Sequence, residues 1–71
     1  MQDPKRLLPL AAMEKLMKEA GAPRVSDKAK MALKIALENI AEEISVKAVK
    51  FASHAGRRTI KVEDIKLAVK S

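Results

Sequence analysis

The chain contains no cysteine and only one histidine, His54. Without cysteine it has no disulfide and no thiolate ligand for a metal ion. A single histidine does not build a metal site by itself, so no cofactor or metal is expected. No apolar run approaches the length that spans a bilayer, and no signal-peptide pattern is present. These absences predict a soluble, intracellular protein.

Aromatic residues are almost absent, because there is no tryptophan or tyrosine and Phe51 is the single phenylalanine. Proteins that bind RNA or single strands usually stack bases on aromatic side chains, and that platform is missing here. Positive charge is abundant, since 15 Lys and Arg against 9 Asp and Glu give a net charge of +6. This balance suggests a polyanionic partner, with nucleic acid first and an anionic membrane second.

Proline and glycine are few, and neither occurs between Asp27 and Ala55. Apolar residues keep a helical period through this run, which predicts one helix roughly 42 Å long at about 1.5 Å per residue. The chain has only 71 residues, so one domain is expected, with two short segments left to pack against that helix. A monomer would leave a broad apolar stripe in water. The chain is therefore expected to fold as an intertwined dimer.

The chain is expected to consist of a short, flexible basic tail, residues 1–8, and one folded domain, residues 9–71. A first helix is predicted from about Pro9 to residue 19, because proline is tolerated in a first turn. Gly21 follows it and can supply the left-handed conformation that ends a helix.

The long helix has clear start and stop signals. Ser26 is the expected N-cap, and Gly56 marks the C-terminus. A third helix begins near Val62, and its expected buried face comprises Ile65, Leu67, Ala68 and Val69. The predicted architecture is all-α: short helix, loop, long central helix, loop, short helix.

The long helix also has two contrasting sides. An apolar seam at heptad-like spacing comprises Leu33, Leu37, Ile40, Ile44, Phe51 and Ala55. The solvated side is expected to comprise Lys30, Lys34, Glu38, Glu42, Lys47 and Lys50.

Several local strings resemble the archaeal histones, which share the histone fold. The matching strings are Ala20-Gly21-Ala22, Arg24-Val25-Ser26-Asp27, His54-Ala55-Gly56-Arg57, Thr59-Ile60-Lys61 and Glu63-Asp64-Ile65. The resemblance covers about residues 8–69 and is most specific in the strings around the second loop.

The resemblance implies a head-to-tail dimer whose long helices cross near their midpoints. Loop one of each protomer would then lie beside loop two of the other, giving two paired-loop DNA sites and a central site where the first helices converge. In the family, Arg24 matches an arginine that enters the minor groove, and Thr59 matches the threonine that braces it. Read alone, Arg24 is equally well a solvated loop cation. The other positions that match DNA contacts are Lys15, Lys18, Arg58 and Lys61.

Arg57 has two interpretations. It contacts phosphate, or it pairs with Asp64 and clamps loop two against the third helix, and the resemblance favours the clamp. For Asp64 the simpler interpretation is an acidic residue at a helix start.

The resemblance also implies contacts between dimers. His54 matches a four-helix contact near Phe51, Asp64 and Leu67 that joins dimers along DNA, whereas on its own it is an ordinary histidine at a helix end. Gly21 matches a position that permits close stacking of dimers, although a helix cap explains this glycine equally well.

No catalytic constellation is visible, so a non-enzyme is expected. The favoured function is sequence-independent binding, bending and compaction of double-stranded chromosomal DNA by a homodimer, or a heterodimer with a paralogue, that assembles into tetramers or longer oligomers in the nucleoid. Two alternatives stay open: a histone-fold module that serves transcription, and a helical interaction protein that does not bind DNA. Neither a membrane nor a small-molecule substrate is expected as a partner.

Overall fold

The computed structural model describes residues 7–71, and these form three α-helices. Helix α1 spans Leu10–Glu19, α2 spans Asp27–His54 and α3 spans Val62–Lys70. No strand occurs within residues 7–71, and the predicted all-α order of short, long and short helices is confirmed. None of the helices in this range is both long and apolar enough to cross a membrane.

The ends of α1 follow from a proline and a glycine. Pro9 is the N-cap, with extended backbone angles, so the helix begins one residue later than predicted. At the other end Gly21 has a φ of 115°, and the N–H of Ala22 donates to the carbonyl of Met17 at 3.0 Å. That bond is the long one of a Schellman motif, which leaves the chain free to turn away after the glycine.

The ends of α2 confirm both signals in the sequence. The hydroxyl of Ser26 accepts a hydrogen bond from the N–H of Ala29 at 3.1 Å, as an N-cap should. Gly56 has a φ of 73°, and the N–H of Arg57 donates to the carbonyl of Ala52 at 2.9 Å. Helices α1 and α2 therefore both end in a Schellman motif, and each of the two loops starts from it.

The chain divides into two compact units, the first extending to Asn39 and the second beginning at Ile40. Within the described part of the first unit the buried apolar side chain is Met13. The second unit buries only small apolar residues, namely Ala48, Ala52 and Ala68. Such small cores are typical of chains that bury more surface by oligomerising.

Lys34 and Glu38 were expected on the solvated side of the long helix, and this prediction is wrong. Each residue is only 6% exposed. The reason lies outside the helix, because the backbone that precedes α1 covers this pair. Glu38 Oε2 accepts hydrogen bonds from the N–H groups of Leu7 and Leu8, at 3.2 and 3.0 Å.

The boundary between tail and domain is affected by the same contact. Residues 1–6 of the predicted tail lie outside the described residues. Leu7 and Leu8 were assigned to that tail, but their backbone is tied to α2 through Glu38. These hydrogen bonds connect the last two residues of the predicted tail to α2.

The expected buried face of the third helix is only partly present in the single chain. Ala68 is buried, whereas Ile65, Leu67 and Val69 are 40%, 49% and 62% exposed. The second unit leaves further apolar side chains of α2 open to solvent, namely Ile40, Val46 and Val49. Within residues 7–71, a large part of the apolar surface of α2 and α3 is therefore exposed.

Candidate nucleic-acid interface

Loop two, residues 55–61, is held to α3 by a forked ion pair. Arg57 Nη1 donates to Asp64 Oδ2 at 2.9 Å, and Arg57 Nη2 donates to Asp64 Oδ1 at 3.1 Å. Arg57 Nη1 also donates to the carbonyl of Thr59 at 3.0 Å. The N–H of Lys61 donates to Asp64 Oδ2 at 2.8 Å. One buried carboxylate and one guanidinium thus fix both ends of the loop.

The charges of this pair reinforce each other. The guanidinium of Arg57, and then the N–H of Lys61, hold the pKa of the Asp64 carboxyl below its ordinary value. The hydrogen bonds to Asp64 likewise raise the pKa of Arg57. Asp64 therefore stays ionised at neutral pH, and its position in the first turn of α3 also suits the positive end of the helix dipole.

Of the two interpretations of Arg57, the structure contains the geometry of the clamp. The guanidinium directs its donors to Asp64 and to the backbone of Thr59. The cations left on the outside of loop two are Arg58 and Lys61, whose residues are exposed, as is Thr59. Neither Arg58 nor Lys61 forms an ion pair with any residue in the range 7–71. Both are available to a phosphate.

Loop one, residues 20–26, presents Arg24 in a comparable way. Arg24 is exposed and makes no ion pair within the described residues. The loop is fixed on both sides, by the positive φ of Gly21 and by the Ser26 cap. Pro23 has a restricted φ, so the backbone beside Arg24 has little freedom.

Gly21 itself makes no close approach to any residue in the range 7–71. A Cβ placed on this residue would meet nothing within 4 Å. The positive φ of 115° is therefore sufficient reason for glycine here. The open space at this position is compatible with the stacking of dimers that the resemblance implies, but it does not require it.

The two lysines of α1 differ in their surroundings. Lys15 is exposed and forms no ion pair within the described part of the chain. Lys18 is also exposed, but its Nζ lies 3.2 Å from Glu14 Oε2. On the other oxygen of Glu14, Lys30 Nζ lies at 3.3 Å. Sequence reasoning missed Glu14, although its spacing of four residues to Lys18 is a readable signal.

The residues expected at a contact between dimers lie in the second unit. His54 and Leu67 are exposed, Phe51 is half-buried and Asp64 is buried. Both carboxylate oxygens of Asp64 already accept hydrogen bonds from loop two. The surface open to another molecule is therefore the apolar and imidazole part of this group.

No group of three or more Asp, Glu or His side chains within residues 7–71 is arranged to hold a metal ion. The expected DNA-contact residues instead offer cations on exposed loops with fixed ends and on α1. Such an arrangement can neutralise phosphates and displace their counterions.

Comparison with known proteins gives matches over nearly the whole chain. A family described as histone-like transcription factor (CBF/NF-Y) and archaeal histone matches residues 6–69. The archaeal histone HAN1 of Thermococcus zilligii has a subunit that is 52% identical over 64 residues, which cover 90% of this chain and 96% of the relative. Probable archaeal histone 3 from Methanocaldococcus jannaschii is 49% identical over 63 residues, covering 89% of this chain and 94% of the relative.

Proposed function

The chain belongs to the histone-fold family of archaeal histones and histone-like transcription factors, and from this premise we propose that it wraps and compacts double-stranded DNA as a dimer. Membership supports the role of a DNA-binding chromatin protein that dimerises through its histone fold. The proteins of this family are structural rather than enzymatic. The residue roles, the wrapping and the larger assemblies are our proposal.

The observation that carries the proposal is that the cations of loop two have two different roles. Arg57 and Asp64 lock the loop, and Arg58 and Lys61 stand exposed on it. A rigid loop with outward cations loses little conformational entropy on binding, and each phosphate that it neutralises releases counterions. Contacts of this kind position a protein on the duplex without reading its sequence.

The exposed apolar side chains support the dimer. Leu16 of α1 is 50% exposed, Ile40 and Val49 of α2 are 52% and 54% exposed, and Leu67 of α3 is 49% exposed. We propose that a second copy, crossing head to tail, covers most of this surface. In cells the second copy is either the same chain or a paralogue.

In such a dimer, loop one of one protomer and loop two of its partner form a shared DNA site. Arg24 would enter the narrow minor groove, where a guanidinium finds strong negative potential and little base information. Thr59 would brace it, with Arg58 and Lys61 on phosphates. Lys15 and Lys18 would serve the central site. Three such contacts at about 10 bp spacing engage roughly 30 bp of DNA per dimer.

Longer assemblies would form through the ends of α2 and α3. We propose that His54, Phe51, Leu67 and Asp64 form the contact between dimers, so that tetramers and longer oligomers extend the wrap. Gly21 would permit neighbouring turns to stack. A protein working in this way is associated with the chromosome in the nucleoid.

A second function has one specific observation in its favour, namely that the matching family includes histone-like transcription factors. A module of that kind would pair with a different histone-fold chain and act at particular promoters. Poor self-association of the pure protein, together with preference for a defined DNA sequence, would favour it over packaging.

The proposal is tested by measuring affinity for a random-sequence duplex of about 30 bp at several salt concentrations. The double variant R58A/K61A should bind more weakly, and its salt dependence should be shallower by about 0.9 for each phosphate that the variant no longer neutralises. The control is K66A/K70A, which removes the same charge from exposed lysines of α3. Equal reductions of affinity in the two variants would mean that Arg58 and Lys61 contribute only to the net charge of the protein. That result would overturn their assigned role as phosphate contacts.

A further inference from the structure

Glu14 of α1 lies between two lysines that belong to different helices. Its Oε2 lies 3.2 Å from the Nζ of Lys18, one turn further along α1. Its Oε1 lies 3.3 Å from the Nζ of Lys30 on α2. Lys30 in turn lies 3.4 Å from Asp27 Oδ1. The four side chains form a neutral chain of ion pairs next to loop one.

The members of this chain of ion pairs differ in exposure. The side chain of Lys30 is 17% exposed, whereas those of Lys18 and Glu14 are 52% and 35% exposed. The two lysines hold the pKa of the Glu14 carboxyl below its ordinary value, Lys18 having the larger effect. Glu14 is therefore ionised at neutral pH. Lys30 is held in place, but Lys18 can leave the pair by rotating towards solvent.

We propose that Glu14 restrains DNA binding by competing with phosphate for Lys18. The inference rests on the proposed function, in which Lys18 faces DNA. When Lys18 binds a phosphate of the duplex, its ion pair with Glu14 must break. The net contribution of Lys18 to the affinity for DNA is therefore smaller than that of an unpaired lysine. Lys15, one residue beyond Glu14 and unpaired within the described residues, contributes in full. Glu14 thus sets how tightly the α1 surface holds DNA.

The size of the effect follows from the nature of the pair. Exposed ion pairs are weak, so releasing Lys18 should strengthen binding by about two- to five-fold per site. The salt dependence should become steeper, by at most about 0.9 for each lysine that becomes free to neutralise a phosphate. An effect of this size matters for a packaging protein, because a moderately lower affinity for DNA lets dimers dissociate and redistribute.

The experiment compares E14Q with E19Q on the same random-sequence duplex over a salt series. Glu19 is exposed on the same helix and forms no ion pair with any described residue, so its substitution changes the charge equally without freeing a lysine. E14Q should bind more tightly than E19Q and with a steeper salt dependence. E14A, which keeps a good helix former at this position, should behave like E14Q.

A double-mutant cycle then isolates the pair. K18A should cost little affinity in the original chain and about two- to five-fold more in the E14Q background. K15A is the matched control, and its cost should be the same in both backgrounds. Equal behaviour of E14Q and E19Q, or a cost of K18A that does not depend on Glu14, would overturn the inference. Failure of the proposed function would look different, because the original chain itself would not bind the duplex.

Discussion

Lys34 Nζ lies 2.8 Å from Glu38 Oε2, one turn along α2, and the two side chains are only 7% and 5% exposed. The same carboxylate oxygen accepts hydrogen bonds from the backbone of Leu7 and Leu8, and Lys34 Nζ also donates to the carbonyl of Leu8. No buried side-chain nitrogen or oxygen in the described residues lacks a partner. A buried pair that is hydrogen-bonded in this way fixes the chain immediately before α1.

Replacing Glu38 by Gln should destabilise the protein. The change leaves the ammonium of Lys34 buried without a negative partner, and breaking one side of a buried pair is costly. We expect the Tm to fall by more than about 5 °C, measured by circular dichroism at fixed protein concentration. E43Q is the control, because Glu43 is exposed on the same helix. If both variants melt at the same temperature, the buried pair does not anchor the N-terminal segment.

The stability should fall in acid. Both Glu38 and Asp64 have a pKa below the ordinary value in the folded chain, Glu38 chiefly through Lys34 and Asp64 chiefly through Arg57. A group with a lowered folded pKa stabilises the fold above its unfolded pKa, and this contribution is lost as the pH falls through the folded value. The Tm should therefore be nearly constant above about pH 5 and decline below about pH 4.

The Asp64 part of this acid response can be separated. D64N should melt at a lower temperature than the original chain at pH 7, and its Tm should change less between pH 7 and pH 3. E43Q again serves as the control and should retain the full acid response. A D64N variant with an unchanged pH profile would mean that Asp64 does not stay ionised against Arg57.

Gly56 offers a test of the loop-two backbone alone. A Cβ at this position would meet no atom of the described residues within 4 Å, so we attribute the penalty for alanine to the φ of 73°. We expect G56A to lower the free energy of unfolding by about 1 kcal/mol per chain. G56N should cost less, because asparagine tolerates this region. Equal decreases for the two variants, measured by denaturant unfolding, would point to a cause other than backbone strain.

The contact between dimers is tested at His54. Because this side chain is exposed in the single chain, H54A should leave the Tm of the free dimer almost unchanged. It should shorten the assemblies that form on long DNA, as measured by the mass of the complexes. S53A, a change at the neighbouring exposed position, should leave assembly size unaltered. Assemblies of normal length with H54A would remove His54 from the proposed contact.

The sequence predicted those features that depend on local chemistry. Gly21, Ser26 and Gly56 fix helix ends through their own backbone angles or hydroxyl, so the boundaries were readable to within a residue or so. The burial of Lys34 and Glu38 was not readable, because it depends on Leu7 and Leu8, some thirty positions away. Helical periodicity reports which residues share a face, and it does not report which segment covers that face.

The α3 residues illustrate a different limit. Ile65, Leu67 and Val69 have the pattern of a buried face, yet each is exposed in the single chain. Under the proposed function a second copy covers this face, and periodicity does not distinguish contact with another molecule from contact within the chain. The ion pair between Glu14 and Lys30 was not predicted, because only the fold brings Lys30 of α2 to Glu14 of α1.

The most direct test of the central claim is a titration of the pure protein onto a random-sequence duplex of about 60–90 bp at several salt concentrations. Complex mass and the length of DNA protected from nuclease are measured together. A wrapping histone predicts steep salt dependence and protection that grows in steps of roughly 30 bp as dimers are added. A well-folded dimer that leaves the duplex unprotected at moderate salt would contradict the account.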